Sequence, residues 1–395
     1  MDMEEALHRI LREAVDSCVA AGISLLVEKD GKEVCYCEEG MADIEKEKPL
    51  RRDGIFRIYS LTKPVTATAI MLLAERGELD LAQPVADILP AFSKTKVWVN
   101  GKEQTLERPM LVHDLMRMTS GLVYPDGQSE PGKRTGAVYE ETIRRMDTEN
   151  PVTTLEFAQK LAECPLAYSP GEGWQYGTSA DILGAVAEKV SGMEFGEFLN
   201  REFFEPLGMK DTGFWVPSSK QERLVSAYET ITDGNGSTRL RRYCGNELGI
   251  CSKMAKKPAY ESAGGGLVST LDDYMCFARM LLQGGEAFGK QFLQKRTVRF
   301  LTEAGLEDAA QKSFQKNWAG LEGFSYGNLM RVCKDPTKAG FLACRGEYGW
   351  KGWFGTHFLN FPEEKITILV GMQKKNSGTV LIGKLRNVIL SSLTV

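Results

Sequence analysis

Phe56-Arg-Ile-Tyr-Ser-Leu-Thr-Lys-Pro-Val-Thr-Ala-Thr-Ala-Ile-Met-Leu-Leu-Ala-Glu-Arg-Gly-Glu-Leu-Asp-Leu81 is the stretch around which this chain is organised. A short apolar run leads into Ser60. Behind it, Val65, Ala69, Met71, Leu72 and Leu73 fall at helical spacing, and Gly77 offers a C-cap. Ser60 and Lys63 form the pattern Ser-x-x-Lys. Residues three apart share a helix face, so the ammonium can reach the hydroxyl. A serine hydroxyl becomes a nucleophile when a neighbouring base takes its proton, and an amine can serve as that base. Pro64 suits a first turn, where no backbone donor is missed. Ser93…Lys96 and Ser313…Lys316 repeat the pattern without the apolar lead-in or the long helix. Pattern alone is equally that of a surface helix start, and context singles out Ser60.

Two further segments supply what acyl chemistry at Ser60 needs. Tyr168-Ser-Pro-Gly-Glu-Gly-Trp-Gln-Tyr176 turns at its Pro and Gly residues and sets Tyr176 just before a helix. A phenol near a lysine ammonium can be held ionised, because opposite charge lowers its pKa from about 10. A tyrosine packed on a helix start is the plainer reading. Tyr348-Gly-Trp-Lys-Gly-Trp-Phe-Gly-Thr-His-Phe358 reads as a glycine-studded strand. Such glycines mark close approach of a ligand or another backbone. A backbone N–H here could join that of Ser60 in an oxyanion hole, or the segment could be a bend packed with aromatics.

Outward from these segments, residues 4–20 read as an amphipathic helix with Leu7, Ile10, Leu11, Ala14 and Cys18 on one face. Asp30-Gly31 between apolar runs predicts a hairpin. Residues 123–136 are rich in Gly, Pro and polar residues and read as a loop. Helices are expected at about 137–146, 153–164, 179–191, 194–204, 218–225 and 271–282. Strands are expected at Tyr326–Cys333, Phe341–Cys344, Gly355–Phe361 and Ile366–Met372, then a helix at about 378–393. This organisation predicts an α+β fold. Residues 1–79 and 256–395 form one antiparallel sheet domain flanked by helices, residues 80–255 an inserted, mainly helical domain, and the active site lies in the cleft between them.

The chain has 395 residues, 43% hydrophobic and 26% charged, with a net charge of −4. The charges are mixed along the chain, without the basic face that nucleic-acid binding requires. No run approaches the ~18 apolar residues of a membrane span. Nine cysteines lack metal-ligand spacing, and the N-terminus lacks a secretory signal, which predicts free thiols and a cytoplasmic location. Cys35-Tyr-Cys37 alternates like a strand. No zinc motif, phosphate loop or Gly-x-Ser-x-Gly elbow occurs, so no metal or cofactor is expected. The three histidines, His8, His113 and His357, need no functional explanation.

Taken together, these segments resemble the serine β-lactamase and penicillin-binding-protein superfamily, on its class C side, with family VIII carboxylesterases as close relatives. Besides Ser60-Leu-Thr-Lys63, the resemblance rests on Gly77-Glu-Leu-Asp-Leu81, His113-Asp-Leu-Met-Arg-Met-Thr-Ser-Gly-Leu122 and Tyr168–Gly177. Glu205-Pro-Leu-Gly-Met209, Ser262-Ala-Gly-Gly-Gly-Leu267 and Gly349–Thr356 complete it. It implies the β-lactamase/transpeptidase-like fold and a nucleophilic Ser60 that forms an acyl-enzyme. Lys63 and Tyr176 would share the proton transfers, and the N–H groups of Ser60 and Trp353 would form the oxyanion hole. The family's Tyr-x-Asn is here Tyr176-Gly177-Thr178, and its Lys-Thr-Gly is Trp350-Lys351-Gly352. The aromatic resembles the Trp-x-Gly of the esterases and removes the ammonium that positions a β-lactam carboxylate. A strand's alternation turns Lys351 to the other face. Thr178, Trp350, Lys351, Gly352 and Tyr124 are the substrate-binding candidates, with Trp353 and Phe354 adding apolar surface. The expected function is a carboxylesterase acting on small esters. The alternatives are a class C-type β-lactamase or D-amino-acid peptidase, or an acyltransferase using the same site. The partner expected is a small ester or amide, with no nucleic acid and no membrane.

Overall fold

Asp30 and Gly31 both take left-handed backbone angles, φ 52° and 73°, as a two-residue hairpin turn requires. They join strands Gly22–Lys29 and Lys32–Asp43 of an eight-stranded antiparallel sheet. Across the sheet the order is Phe324–Tyr326, Arg331–Cys333, Tyr348–Lys351, His357–Phe361, Ile366–Met372, Gly22–Lys29, Lys32–Asp43, Lys48–Pro49. Ile23 pairs with Met372 and Lys29 with Ile366, so the two ends of the chain close one sheet. This computed structural model describes residues 2–232, 234–236, 238–375 and 380–393. None of the described helices is long and apolar enough to cross a membrane.

Helices cover both faces of the sheet. Met3–Asp16 and Val380–Leu393 pack Leu7, Leu11 and Ile389 onto Leu25, Val27 and Ile368. Cys35 and Cys37 lie side by side in this layer, their sulfurs 3.1 Å apart. The first helix ends at Asp16, so Cys18, at φ 57°, falls outside the face expected for it. On the other face Thr62–Glu75 and Leu271–Leu282 contribute to a second core that includes Leu26, Phe358 and Leu369. Every residue from Thr62 to Leu73 is buried. A helix enclosed on all sides is a fixed mount for what stands at its N-terminus.

Several local expectations give way to tertiary structure. The helix Glu130–Arg145 begins inside the stretch read as a loop, because Ser129 caps the Gly132 N–H and Pro131 fits a first turn. Helices Lys295–Glu303 and Asp308–Asn317 were not anticipated. Phe341–Cys344 is not a strand. Its polar backbone is taken by side chains, Arg386 on the Leu342 carbonyl and Glu347 on the Cys344 N–H. Tyr326–Cys333 is split by a turn at Gly327–Met330 into two paired strands. The segment 80–255 also carries hairpins, Lys96–Val99 with Lys102–Thr105 and Tyr228–Thr232 with Thr238–Arg242. Residues 218–223 form a 3-10 helix rather than an α-helix. Residues 224–228 return to the sheet region, where Ser226 N–H donates to Ala42 and Tyr228 N–H to Gln373. The last helix starts at Val380; residues 378 and 379 lie outside the described residues.

Candidate active site

Ser60 stands on a 3-10 turn, Tyr59–Leu61, between a short strand and the buried helix. Phe56–Arg57 pairs with Val268–Ser269, and Ile58 N–H donates to Leu267 at 3.0 Å, so the approach is clamped. Tyr59 then takes φ 43°, a left-handed angle that a non-glycine residue holds only at a cost of about 1–2 kcal/mol. Its ring is wedged edge-on against Phe354 at 4.7 Å and Trp353 at 5.3 Å. The sharp turn leaves Ser60 half-buried between neighbours that are fully buried. Gly352 makes room for it. A Cβ there would lie 2.4 Å from the Ile58 oxygen and 2.1 Å from Thr356 Oγ1. Gly352 is therefore a close-approach position that brings Trp353 against Tyr59, rather than a surface offered to substrate. Among the described residues, neither Ser60 nor Trp353 donates its N–H to a backbone carbonyl outside its own element.

Lys63 is wholly buried, and its ammonium makes three contacts. Nζ donates to Ser60 Oγ at 3.2 Å, Tyr124 Oη at 3.0 Å and the Gly264 carbonyl at 2.7 Å. An ammonium has three protons, so this set occupies all of them. The rings of Tyr176 and Tyr124 face the cation at 4.7 and 5.5 Å from their centroids. No carboxylate pairs with it among the described residues. Burial, with the Asp181 charge adding to it, pushes the Tyr124 phenol well above the usual tyrosine range. Tyr124 is thus a neutral partner of the lysine as well as a wall of the site.

The Gly264 carbonyl is held in place by Asp181, which the sequence reading missed. This carboxylate is buried on helix Ser179–Ser191. Its Oδ1 accepts from Ser262 Oγ at 2.7 Å, Tyr260 Oη at 2.8 Å and Gly264 N–H at 3.0 Å, and Tyr139 Oη lies 3.4 Å from Oδ2. A Cβ on Gly264 would come within 2.7 Å of the carboxylate, so the glycine run is a backbone-crowding feature. The available signal was an acidic residue three positions into a helix otherwise free of charge through Ala187.

Tyr176 lies beside this cluster. Its hydroxyl accepts from the Trp350 indole N–H at 2.9 Å, and its ring meets Trp318 at 5.1 Å and Trp350 at 5.5 Å. The lysine faces the ring, and the indole holds the hydroxyl. Of the five substrate-binding candidates only Tyr124 lines the pocket at Ser60; Thr178, Trp350, Lys351 and Gly352 do not. Thr178 is fully buried at the start of its helix, so its side chain cannot meet a substrate. Lys351 and its strand neighbour Trp350 both line a second cavity of about 430 Å³, where Lys351 lies 5.3 Å from the Trp318 ring. The pocket at Ser60 has a volume of about 300 Å³, and Tyr59, Tyr124, Tyr139, Leu248, Ile250 and Trp353 provide most of its apolar lining. None of the three histidines lines it. His357 is buried, which pushes its imidazole down to about 3, and it is held by the Gly355 carbonyl. Among the described residues no cluster of His, Cys, Asp or Glu has the arrangement of a metal site.

The family model for Beta-lactamase matches residues 7–390. The chain belongs to the beta-lactamase family. Esterase EstB of Burkholderia gladioli is 30% identical over 366 residues, covering 88% of this chain and 85% of EstB. Protein Rv1367c of Mycobacterium tuberculosis H37Rv is 30% identical over 371 residues, covering 92% of this chain and 88% of its own. Among solved structures, EstCE1, described as a hydrolase with promiscuous acyltransferase activity, superposes with a TM-score of 0.81 over 98% of both chains at 24% identity. These similarities establish the family and the β-lactamase/transpeptidase fold.

Proposed function

We propose that this member of the family is a serine hydrolase that cleaves small carboxylic esters through an acyl-Ser60 intermediate. The observation that carries the reading is the Lys63 ammonium, 3.2 Å from Ser60 Oγ and fixed by two further acceptors. For acylation Lys63 must first give up one of its three protons; the lone pair of the neutral amine then takes the Ser60 hydroxyl proton as Oγ bonds to the ester carbonyl carbon. The carbonyl oxygen becomes an oxyanion, to which the N–H groups of Ser60 and Trp353 donate in this reading. The bond to the alcohol then breaks, and the proton reaches the departing oxygen by way of Lys63 and Tyr176. Water repeats the sequence on the acyl-enzyme and returns Ser60. Trp350 fixes the Tyr176 hydroxyl, and the Asp181 network fixes the Gly264 carbonyl that aims the lysine.

The ester preference is supported by what surrounds the serine. Trp350 takes the sequence position of the family's lysine and donates its indole N–H to Tyr176, and neither it nor Lys351 lines the Ser60 pocket. The name of the EstB relative agrees with this preference. A cytoplasmic location fits the nine unpaired cysteines. The test is intact-mass spectrometry and turnover with p-nitrophenyl acetate and butyrate, with nitrocefin in parallel. Ester turnover and an acyl adduct, both lost in Ser60→Ala by a factor of about 10³ or more, are the expected outcome. Nitrocefin turnover far above ester turnover overturns the ester assignment.

A further inference from the structure

One carboxylate interrupts the apolar wall of the Ser60 pocket. Glu247 opens a tight turn, in which its N–H donates to Ile250 at 3.3 Å and the Ile250 N–H donates back at 2.9 Å. Both central residues, Leu248 at φ 50° and Gly249 at φ 72°, are left-handed. A leucine in that region is strained, and its side chain is one of those lining the pocket. The turn thus sets Leu248 and Glu247 together at the rim.

The carboxylate is only partly neutralised. Oε1 accepts from the Tyr243 hydroxyl and lies 3.6 Å from Lys375 Nζ. That ammonium also lies 4.5 Å from the Tyr243 ring and 5.1 Å from the Trp353 ring. The Glu247 side chain remains 36% exposed. Tyr59, part of the pocket wall, has its phenol pushed up by burial, against the pull of Arg57, with Glu247 adding to the rise. Among the described residues lining the pocket, Glu247 alone carries a formal charge. Lys63, behind Ser60, has its three protons committed.

We propose that Glu247 makes the pocket select esters with an uncharged or cationic acyl group and reject those whose acyl group carries a carboxylate. The proposal rests on the hydrolase reading and assigns the acyl half of the ester to the side bounded by Leu248, Ile250 and Trp353. Two anions brought together in this half-shielded pocket repel, and nothing in the lining offers an anion a cation in return.

The experiment compares p-nitrophenyl hexanoate with mono-p-nitrophenyl adipate, which has the same carbon number and a terminal carboxylate. The readout is the ratio of kcat/KM, adipate over hexanoate, in wild type, Glu247→Gln and Lys375→Met. The ratio is expected to rise about tenfold in Glu247→Gln and to fall in Lys375→Met, which leaves the carboxylate unpaired. A purely structural role for Glu247 would lower both esters together and leave the ratio unmoved; that outcome overturns the proposal. In wild type the ratio should also rise with ionic strength, because salt screens the repulsion. A salt-independent ratio overturns the proposal even if the variants fail to fold. If neither ester shows Ser60-dependent turnover, it is the hydrolase reading that falls. The affinities of the two esters, followed by tryptophan fluorescence, then decide the charge preference, and equal affinities in wild type overturn it.

Discussion

Two clusters of buried charge lie on opposite faces of the sheet, and they are built on different plans. On the face of Val380–Leu393, Glu347 is buried and pairs directly with two arginines. Arg386 Nη2 reaches one of its oxygens at 2.5 Å, and Arg331 Nη1 lies 3.2 Å from the other. On the face of the nucleophile, Lys63 and Asp181 are also buried but do not pair. The Gly264 residue separates them, its carbonyl turned to the lysine and its N–H to the aspartate. Direct pairing locks protons in place, so the arginine cluster serves as a fastener. Separation by a neutral peptide, with hydroxyls as the other partners, fixes the position of Lys63 beside Ser60 without an opposing charge on it. Buried cations and carboxylates thus form a rivet in one place and, in the proposed reading, a reaction centre in the other.

The sharpest break of that contrast is Lys63→Met. It removes the proton acceptor while nearly preserving volume, so kcat/KM for p-nitrophenyl butyrate should fall about 10³-fold. Thermal stability should hold or rise, because a buried cation without a carboxylate is replaced by an apolar group. Glu347→Gln should do the reverse. It leaves Arg331 and Arg386 buried without their anion and should cost about 3–5 kcal/mol in urea unfolding. The protein that remains folded should keep the acylation rate of wild type. If Glu347→Gln lowers the rate at full occupancy of the folded state, the two clusters are not separate in function.

The smallest effect concerns Glu261, next to the Ser262–Gly264 turn. Burial pushes its carboxyl up to about 7 from the ordinary 4.5, against the pull of the Gly196 N–H, which donates to it at 2.5 Å. The folded state therefore binds this proton more tightly than the unfolded chain. Its contribution to stability is complete below about pH 4.5 and is lost as pH rises through about 7. Glu261→Gln should flatten the fall of Tm across that window, leaving a slope of a few degrees or less. An unchanged Tm profile would show that the carboxyl titrates alike in both states.

Much of the site was legible in the sequence, because local rules carry it. Ser60 and Lys63 meet through helical spacing, and the hairpin at Asp30-Gly31 follows from turn chemistry. Alternation did not carry the neighbouring strand residues Trp350 and Lys351 to different pockets, since both line the second cavity and both meet Trp318. What escaped was set by partners far along the chain. Thr178 was placed by analogy at a substrate contact and is buried by the packing of its helix. Phe341–Cys344 has the composition of a strand, yet its backbone is claimed by Arg386 and Glu347. The loop reading of 123–136 weighed Gly and Pro and overlooked the Ser129 cap.

By itself, then, the sequence determined that Ser60 and Lys63 meet and that the sheet is built from both ends of the chain, because each depends on neighbours within a turn or on strand periodicity. Only the tertiary structure decided how the lysine is surrounded. The 201 positions between Lys63 and Gly264, and the 174 between Tyr176 and Trp350, are bridged by packing. A buried ion takes its chemistry from the groups that replace its water, and those are chosen by the fold.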